Sequence, residues 1–138
     1  NIAALPKVET NNDHVNILFL PFGEIHDLGL MFLNYTLKLK GENVIYLGKS
    51  IPFDNLFYLN SQVKNCTWIT YFMLDRPIEE KIEFLNSIEK LLAHTKNKSI
   101  IVGKVWEDFS IKNTNSQIIF KSGLEQLISA TNEAVVSE

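Results

Sequence analysis

The sequence predicts a doubly wound α/β fold, with five parallel strands in the order 2-1-3-4-5 and helices on both faces. Three observations carry that prediction. Short, nearly continuous apolar runs alternate with longer segments of helical period. Gly and Pro punctuate the joints between them. The 138 residues, 46% hydrophobic and 21% charged, suit one domain with a substantial core and argue against disorder. Parallel neighbours need crossovers and crossovers are right-handed, so the alternation leaves few other topologies.

Each element has its own signal. Residues 1–14 read as a linker, because Pro6 and the polar run Glu9 to His14 show no apolar period, and the domain is assigned to 15–138. Val15 to Phe22 reads as a strand buried on both faces. Leu28 to Lys40 places Leu28, Met31, Tyr35 and Leu39 at helical spacing and stops at Gly41, a suitable C-terminal cap. Asn43 to Leu47 is a second strand, Pro52 opens a helix to about Val63, and Thr67 to Leu74 is a third strand. Pro77 to about His94 is the strongest helix. It has Pro in its first turn, Glu79 and Glu80 suited to the helix dipole, and Ile78, Ile82, Leu85, Ile88 and Leu92 on one stripe. Ser99 to Val102 is the fourth strand. Gly103 to Thr114 is too short for a full crossover and should hold one or two helical turns before the fifth strand, Ser116 to Phe120. Gly123 to about Glu133 closes as a helix. For five such units the flavodoxin-like order is the usual solution, and ligands then bind outside the carboxyl ends of strands one and three, where the order reverses.

Composition narrows the function classes. Thirteen basic against sixteen acidic residues give a net charge of -3 and a pI near 5.6, too acidic for a module that grips a phosphate backbone unaided. No apolar run approaches the roughly 18 residues of a membrane span, and the first fourteen residues lack a secretory signal. A chain that starts at Asn1 reads as a piece of something longer. The single cysteine, Cys66, excludes an internal disulfide. It reads as a small core hydrophobe, as Trp68 and Trp106 read as core. With His14, His26 and His94 far apart, Cys/His zinc binding is excluded as well, and a reducing cytoplasm is expected. No nucleophile and base pair is evident, so no enzymatic activity is expected.

The loop Gly23-Glu24-Ile25-His26-Asp27-Leu28-Gly29 is unusual for a plain turn. It sets a histidine at the mouth of the sheet between two carboxylates, and a metal-ligating imidazole needs such an acceptor for its other ring N–H. Residues two apart in an extended loop share a side, which favours Glu24 as that acceptor and leaves Asp27 to cap the helix. Gly29 costs helix stability, so its use is the close approach of another group. The residues therefore suggest a one-histidine metal or cofactor site. The competing reading has His26 and Asp27 capping the helix while Glu24 is solvated.

Glu24-x-His26-x-x-Gly29 resembles the Asp-x-His-x-x-Gly signature of cobalamin-binding domains, in the Glu-first variant similar to MerR-type, light-responsive cobalamin regulators. That resemblance spans residues 15–134 and implies a cobalamin-binding-domain type of the fold above. It implies adenosylcobalamin or methylcobalamin as cofactor, His26 as lower axial ligand of cobalt, and a slot beside the sheet for the nucleotide tail. Tyr46-Leu47-Gly48-Lys49-Ser50-Ile51-Pro52 is similar to the family's stretch bordering corrin and tail, which brings in Gly48, Ser50 and Ile51. Thr70-Tyr71-Phe72 stands where the family has Ser-x-Leu or Ser-x-Val. Thr70 would offer its hydroxyl to the tail, and Phe72 replaces a smaller residue. The family's Gly-Gly pair after the fourth strand reads Gly103-Lys104 here, a departure that sets a lysine at the slot unless its stem turns outward. The family's hydroxyl relay has no match near Asp75 and Arg76.

In that family DNA is contacted through a separate N-terminal winged helix, which residues 1–14 cannot contain. The cobalamin sensor of a transcription regulator is thus the reading the resemblance favours, and Leu30-Met31-Phe32-Leu33 after the glycine fits that branch better than the corrinoid enzymes. A corrinoid carrier domain is a related alternative. A phospho-receiver domain shares the fold, and Asp75 and Lys121 fit it loosely, but Pro21-Phe22-Gly23 displaces its acidic cluster. The remaining alternative is a ligand-free association module using Phe32 to Tyr35 or Phe53 to Tyr58, and a homo-oligomer is compatible with it.

Overall fold

The structure is a computed structural model and describes residues 14–128. A five-stranded, wholly parallel sheet runs in the order β2-β1-β3-β4-β5. Its strands are β1 Val15–Pro21, β2 Val44–Ile51, β3 Cys66–Tyr71, β4 Lys98–Val102 and β5 Ile118–Lys121. Helices α1 Leu28–Leu39, α2 Phe53–Asn60 and α3 Ile78–Leu92 fill the first three crossovers. The fourth holds a 3-10 turn, Lys104–Trp106, running into the short helix α4, Glu107–Lys112. A further helix, α5, starts at 124 and is described to 128. This is the predicted doubly wound, flavodoxin-like topology. Residues 1–13 of the expected linker and 129–133 of the expected last helix lie outside the described residues. His14 is held to the domain, with Nε2 2.7 Å from the Thr67 hydroxyl.

The sheet separates two apolar layers. On one face Ile17, Phe19, Trp68, Phe72 and Ile101 meet α2, α3 and α4, around Trp106, whose ring lies 5.1 Å from Phe72 and 5.7 Å from Phe84. On the other, Leu18, Leu20 and Ile69 meet α1 and α5. Ile17 to Leu20 are wholly buried because β1 is covered on both sides, which explains a continuous apolar run where a one-sided strand would alternate.

The helix ends are written locally. After α1, Gly41 takes φ +82, its N–H donates to the Lys38 carbonyl, and the Glu42 N–H reaches back to Leu37, a double closure that only a residue without Cβ strain makes cheaply. Glu79 and Glu80 stand in the first turn of α3 and Lys90 in its last, each complementing the dipole.

Four expectations are corrected. The stripe read into α1 is its outer face: Leu28, Met31, Tyr35 and Leu39 are exposed, whereas Leu30, Leu33, Asn34 and Leu37 are buried. In α3, Ile78 and Ile82 are likewise exposed, and Phe84, Ile88, Leu91 and Leu92 make the core contact. Strand β2 continues four residues past Leu47, through Gly48 at φ +92 and Ser50 at φ +58. The ladder with β1 shifts register there, so Phe19 lies opposite Gly48 and Pro21 opposite Ile51. Strand β3 ends at Tyr71, three residues earlier than expected.

Candidate functional site

The carboxyl edge between β1 and β3, where strand order reverses, is built from three loops. Pro21 closes β1 without an N–H to extend the ladder, and the Glu24 N–H turns back to its carbonyl at 3.1 Å. Gly23, at φ +91, supplies the positive φ that this turn requires. The turn buries Glu24 to 1% exposure. Its Oε1 accepts the N–H groups of Met73 at 2.9 Å and Leu74 at 3.1 Å, and its Oε2 is buried with no hydrogen-bond partner among the described residues. The carboxylate thus ties the first loop to the third. Arg76 makes a second tie: Nη1 donates to the Phe22 carbonyl at 2.9 Å, and the guanidinium lies 5.0 Å from the Phe72 ring centroid. A Cβ on Gly23 would stand 3.5 Å from Arg76 Nη2.

These ties leave His26 outside. It is exposed beyond the clamped turn, and Phe22, Ile25, Leu28, Met73 and Leu74 form an exposed apolar rim on the same loops and the start of α1. Glu24 does not fill the role of His26 partner expected from their spacing, because its carboxylate is turned inward, Oε1 onto the amides of the third loop and Oε2 buried, while His26 stays exposed. Asp27 occupies the N-cap position of α1 without a side-chain capping bond. It faces the Tyr46 phenol instead. Burial first, and then the nearby Asp27 carboxylate, raise the Tyr46 pKa.

The Gly29 side is filled. A Cβ there would stand 2.7 Å from Leu124 Cδ1 and 3.3 Å from the Tyr71 ring, so close approach is achieved by two of the chain's own side chains. Thr70 is fully buried, its hydroxyl without a partner among the described residues. Strand alternation turns it to the face of Trp68 and Phe72, away from Gly29 and Tyr71. Gly48, Ser50 and Ile51 are half-buried at the end of β2, on the far side of β1. Gly103 takes φ +146, and a Cβ on it would meet the Phe72 carbonyl oxygen at 2.5 Å, so the residue is fixed by backbone approach. Lys104 is exposed and borders a depression of about 480 Å³ with Trp106, Lys121 and Ser122. A larger groove, about 640 Å³, opens at the switch point between Pro21, Phe22, Phe53, Arg76 and Phe84.

The structure therefore gathers Glu24, His26, Phe72 and Gly103 at one edge and separates Thr70 from Gly29. Sequence reasoning missed Arg76, Tyr71 and Leu124. A guanidinium next to Pro77 in a carboxyl-edge loop was a legible signal for the first; the other two meet Gly29 only through the fold. Asp75 pairs with Lys81 at 2.6 Å, and the Lys81 ammonium also donates to the Val105 carbonyl at 2.8 Å. The Lys81 hydrogen bond, then the Arg76 amide, lower the Asp75 pKa. Burial pushes the Cys66 thiol up to about 11, in keeping with a core role.

No family model matches the chain, and no curated protein matches it. Among solved structures, the monomethylamine corrinoid protein of Methanosarcina barkeri is similar, with a TM-score of 0.69 and 14% identity over 89% of this chain. The match spans 58% of that protein's chain, and the likeness is one of fold.

Proposed function

We propose that this chain binds a cobalamin-type corrinoid at the carboxyl edge of its sheet, with His26 as the protein ligand to cobalt. The observation that carries this reading is the exposed imidazole in the loop at the switch point, with Phe22, Ile25, Leu28, Met73 and Leu74 exposed on the same loops and the start of α1. An imidazole with no hydrogen bond to another described residue suits a metal, and exposed apolar side chains suit the flat face of a macrocycle. The shared fold with a corrinoid protein supports the same assignment.

When bound, a cobalamin would be held by His26 and would supply cobalt-centred chemistry at this edge of the sheet. The chain's own residues divide the remaining work. Glu24 and Arg76 hold the turn that presents His26, and the rim excludes water from the histidine side. Tyr71 and Leu124 close the Gly29 side and must move aside for a nucleotide tail. The exposed Lys104 leaves the slot to them. The Glu-first form of the Glu-x-His-x-x-Gly motif favours a sensor within a transcription regulator. In that arrangement DNA contact belongs to another domain.

The packed Gly29 side favours one second reading, a ligand-free association module that kept the shape. Mixing the pure chain with hydroxocobalamin, desalting, and recording an absorption spectrum separates the two. The expected result is retained corrinoid whose spectrum changes in His26→Ala. A chain that retains none supports the second reading, and identical spectra in both proteins refute ligation by His26.

A further inference from the structure

Helix α1 is apolar on its outer face as well as on its inner one. All five of its exposed residues are apolar or aromatic: Leu28 at 80% exposure, Met31 at 46%, Phe32 at 59%, Tyr35 at 61% and Leu39 at 68%. Its inner face carries a buried asparagine, Asn34. An ordinary surface helix turns its polar residues to water, and an exposed apolar surface of this extent marks an interaction site. Leu28, Phe32, Tyr35 and Leu39 are spaced four, three and four residues apart, the spacing of a seam that packs against another helix.

We propose that this face of α1 is the interface of a symmetric dimer of the chain, two α1 helices packing antiparallel about a two-fold axis level with Leu33 and Asn34. Under that symmetry Phe32 meets Tyr35 of the other copy, and Leu28 meets Leu39. The seam is thus complementary to itself, aromatic to aromatic at the centre and leucine to leucine at the ends. Charge selects the antiparallel sense. Asp27 precedes the helix, while Lys38 and Lys40 stand at its end. Antiparallel packing brings each lysine-bearing end beside the partner's Asp27 and opposes the helix dipoles favourably, whereas a parallel pair would set lysines against lysines. The exposed parts of the five side chains amount to about 600 Å² per copy, taking roughly 150–250 Å² for a large side chain. The pair would then bury about 1,200 Å², the lower limit for stable complexes. The interface needs no corrinoid and does not rest on the reading of His26; Leu28 is the one seam residue that also stands among the exposed apolar residues near the His26 loop.

Sedimentation velocity on the full chain, without corrinoid, tests the interface directly. Wild type is expected to pass from monomer to dimer in the micromolar range. Phe32→Glu should weaken dimerisation at least about 30-fold, with an unchanged far-ultraviolet circular dichroism spectrum. Leu28→Glu and Leu39→Lys should each weaken it, and the double variant should restore it, because each introduced carboxylate then faces an introduced ammonium on the other copy. A wild-type chain that stays monomeric overturns the proposal, whether another segment of this chain or a different protein covers α1. A dimer that survives Phe32→Glu also overturns it. Failure of the double variant to recover refutes the antiparallel geometry.

Discussion

Replacing Glu24 by Ala removes a buried carboxylate that joins the first and third carboxyl-edge loops. Two N–H donors, on Met73 and Leu74, lose an ionised acceptor at 2.9 and 3.1 Å. Hydrogen bonds to charged groups contribute about 1.5–3 kcal/mol each. Two terms offset that loss. Met73 and Leu74 are exposed, so water can reach the freed amides, and the unpartnered Oε2 no longer has to be buried. Relief of a buried, unsatisfied oxygen returns about 1–3 kcal/mol. The net expectation is a loss of about 2 kcal/mol. Glu24→Gln keeps one acceptor but puts a buried amide nitrogen where Oε2 was, and should lose about 1 kcal/mol. Urea unfolding followed by the fluorescence of the buried Trp68 and Trp106 reads both variants. With an unchanged slope of about 2 kcal/mol per molar, the midpoint of Glu24→Ala should fall by about 1 M. Hydrogen exchange should speed up at the Met73 and Leu74 amides before it does in β3. An alanine variant within about 0.5 kcal/mol of wild type, with both amides still protected, would refute the clamp.

Other outcomes follow from contacts of the same kind. Gly103→Ala should cost at least about 2 kcal/mol by chemical denaturation, because a Cβ 2.5 Å from a backbone oxygen adds to an unfavourable φ of +146. A thiol pushed up to about 11 by burial should leave Cys66 inert to a disulfide reagent at pH 8, and reaction should begin only as urea unfolds the chain. Tyr71→Ala should open the Gly29 side and raise hydroxocobalamin retention, while Lys104→Gly changes it little, since Lys104 is exposed. The reverse order would put the obstruction at Lys104.

Strand order was legible because it follows from alternation and handedness, which survive errors in every boundary. The details that failed depended on partners far along the chain. Glu24 lies two residues from His26, and that closeness suggested a pair, but its bonds run to amides 49 and 50 positions away. Leu28, Met31, Tyr35 and Leu39 have helical period, but so do Leu30, Leu33 and Leu37, and period alone cannot choose the inner face when both are apolar. The second strand, expected over Asn43 to Leu47, stops short of Gly48, yet Gly48 is the residue that lets the strand bend and continue. The Glu-x-His-x-x-Gly loop was located correctly at the switch point, whereas the filling of the Gly29 side by Tyr71 and Leu124 depends on how α1 and α5 close over the sheet.

The kinked end of β2 also bears on solubility. β2 and β5 are the two borders of the sheet, and a straight border strand presents a row of unpaired amides and carbonyls on which another chain could polymerise. β5 is only four residues long. β2 is twice that and would be the greater hazard, but left-handed φ at Gly48 and Ser50 twists its outer row out of line, and Lys49 between them places an exposed charge there. The strain at Ser50, of order 1 kcal/mol, is therefore set against fibrous association. A straightened variant such as Gly48→Val with Ser50→Thr would turn that border into a template for cross-β growth.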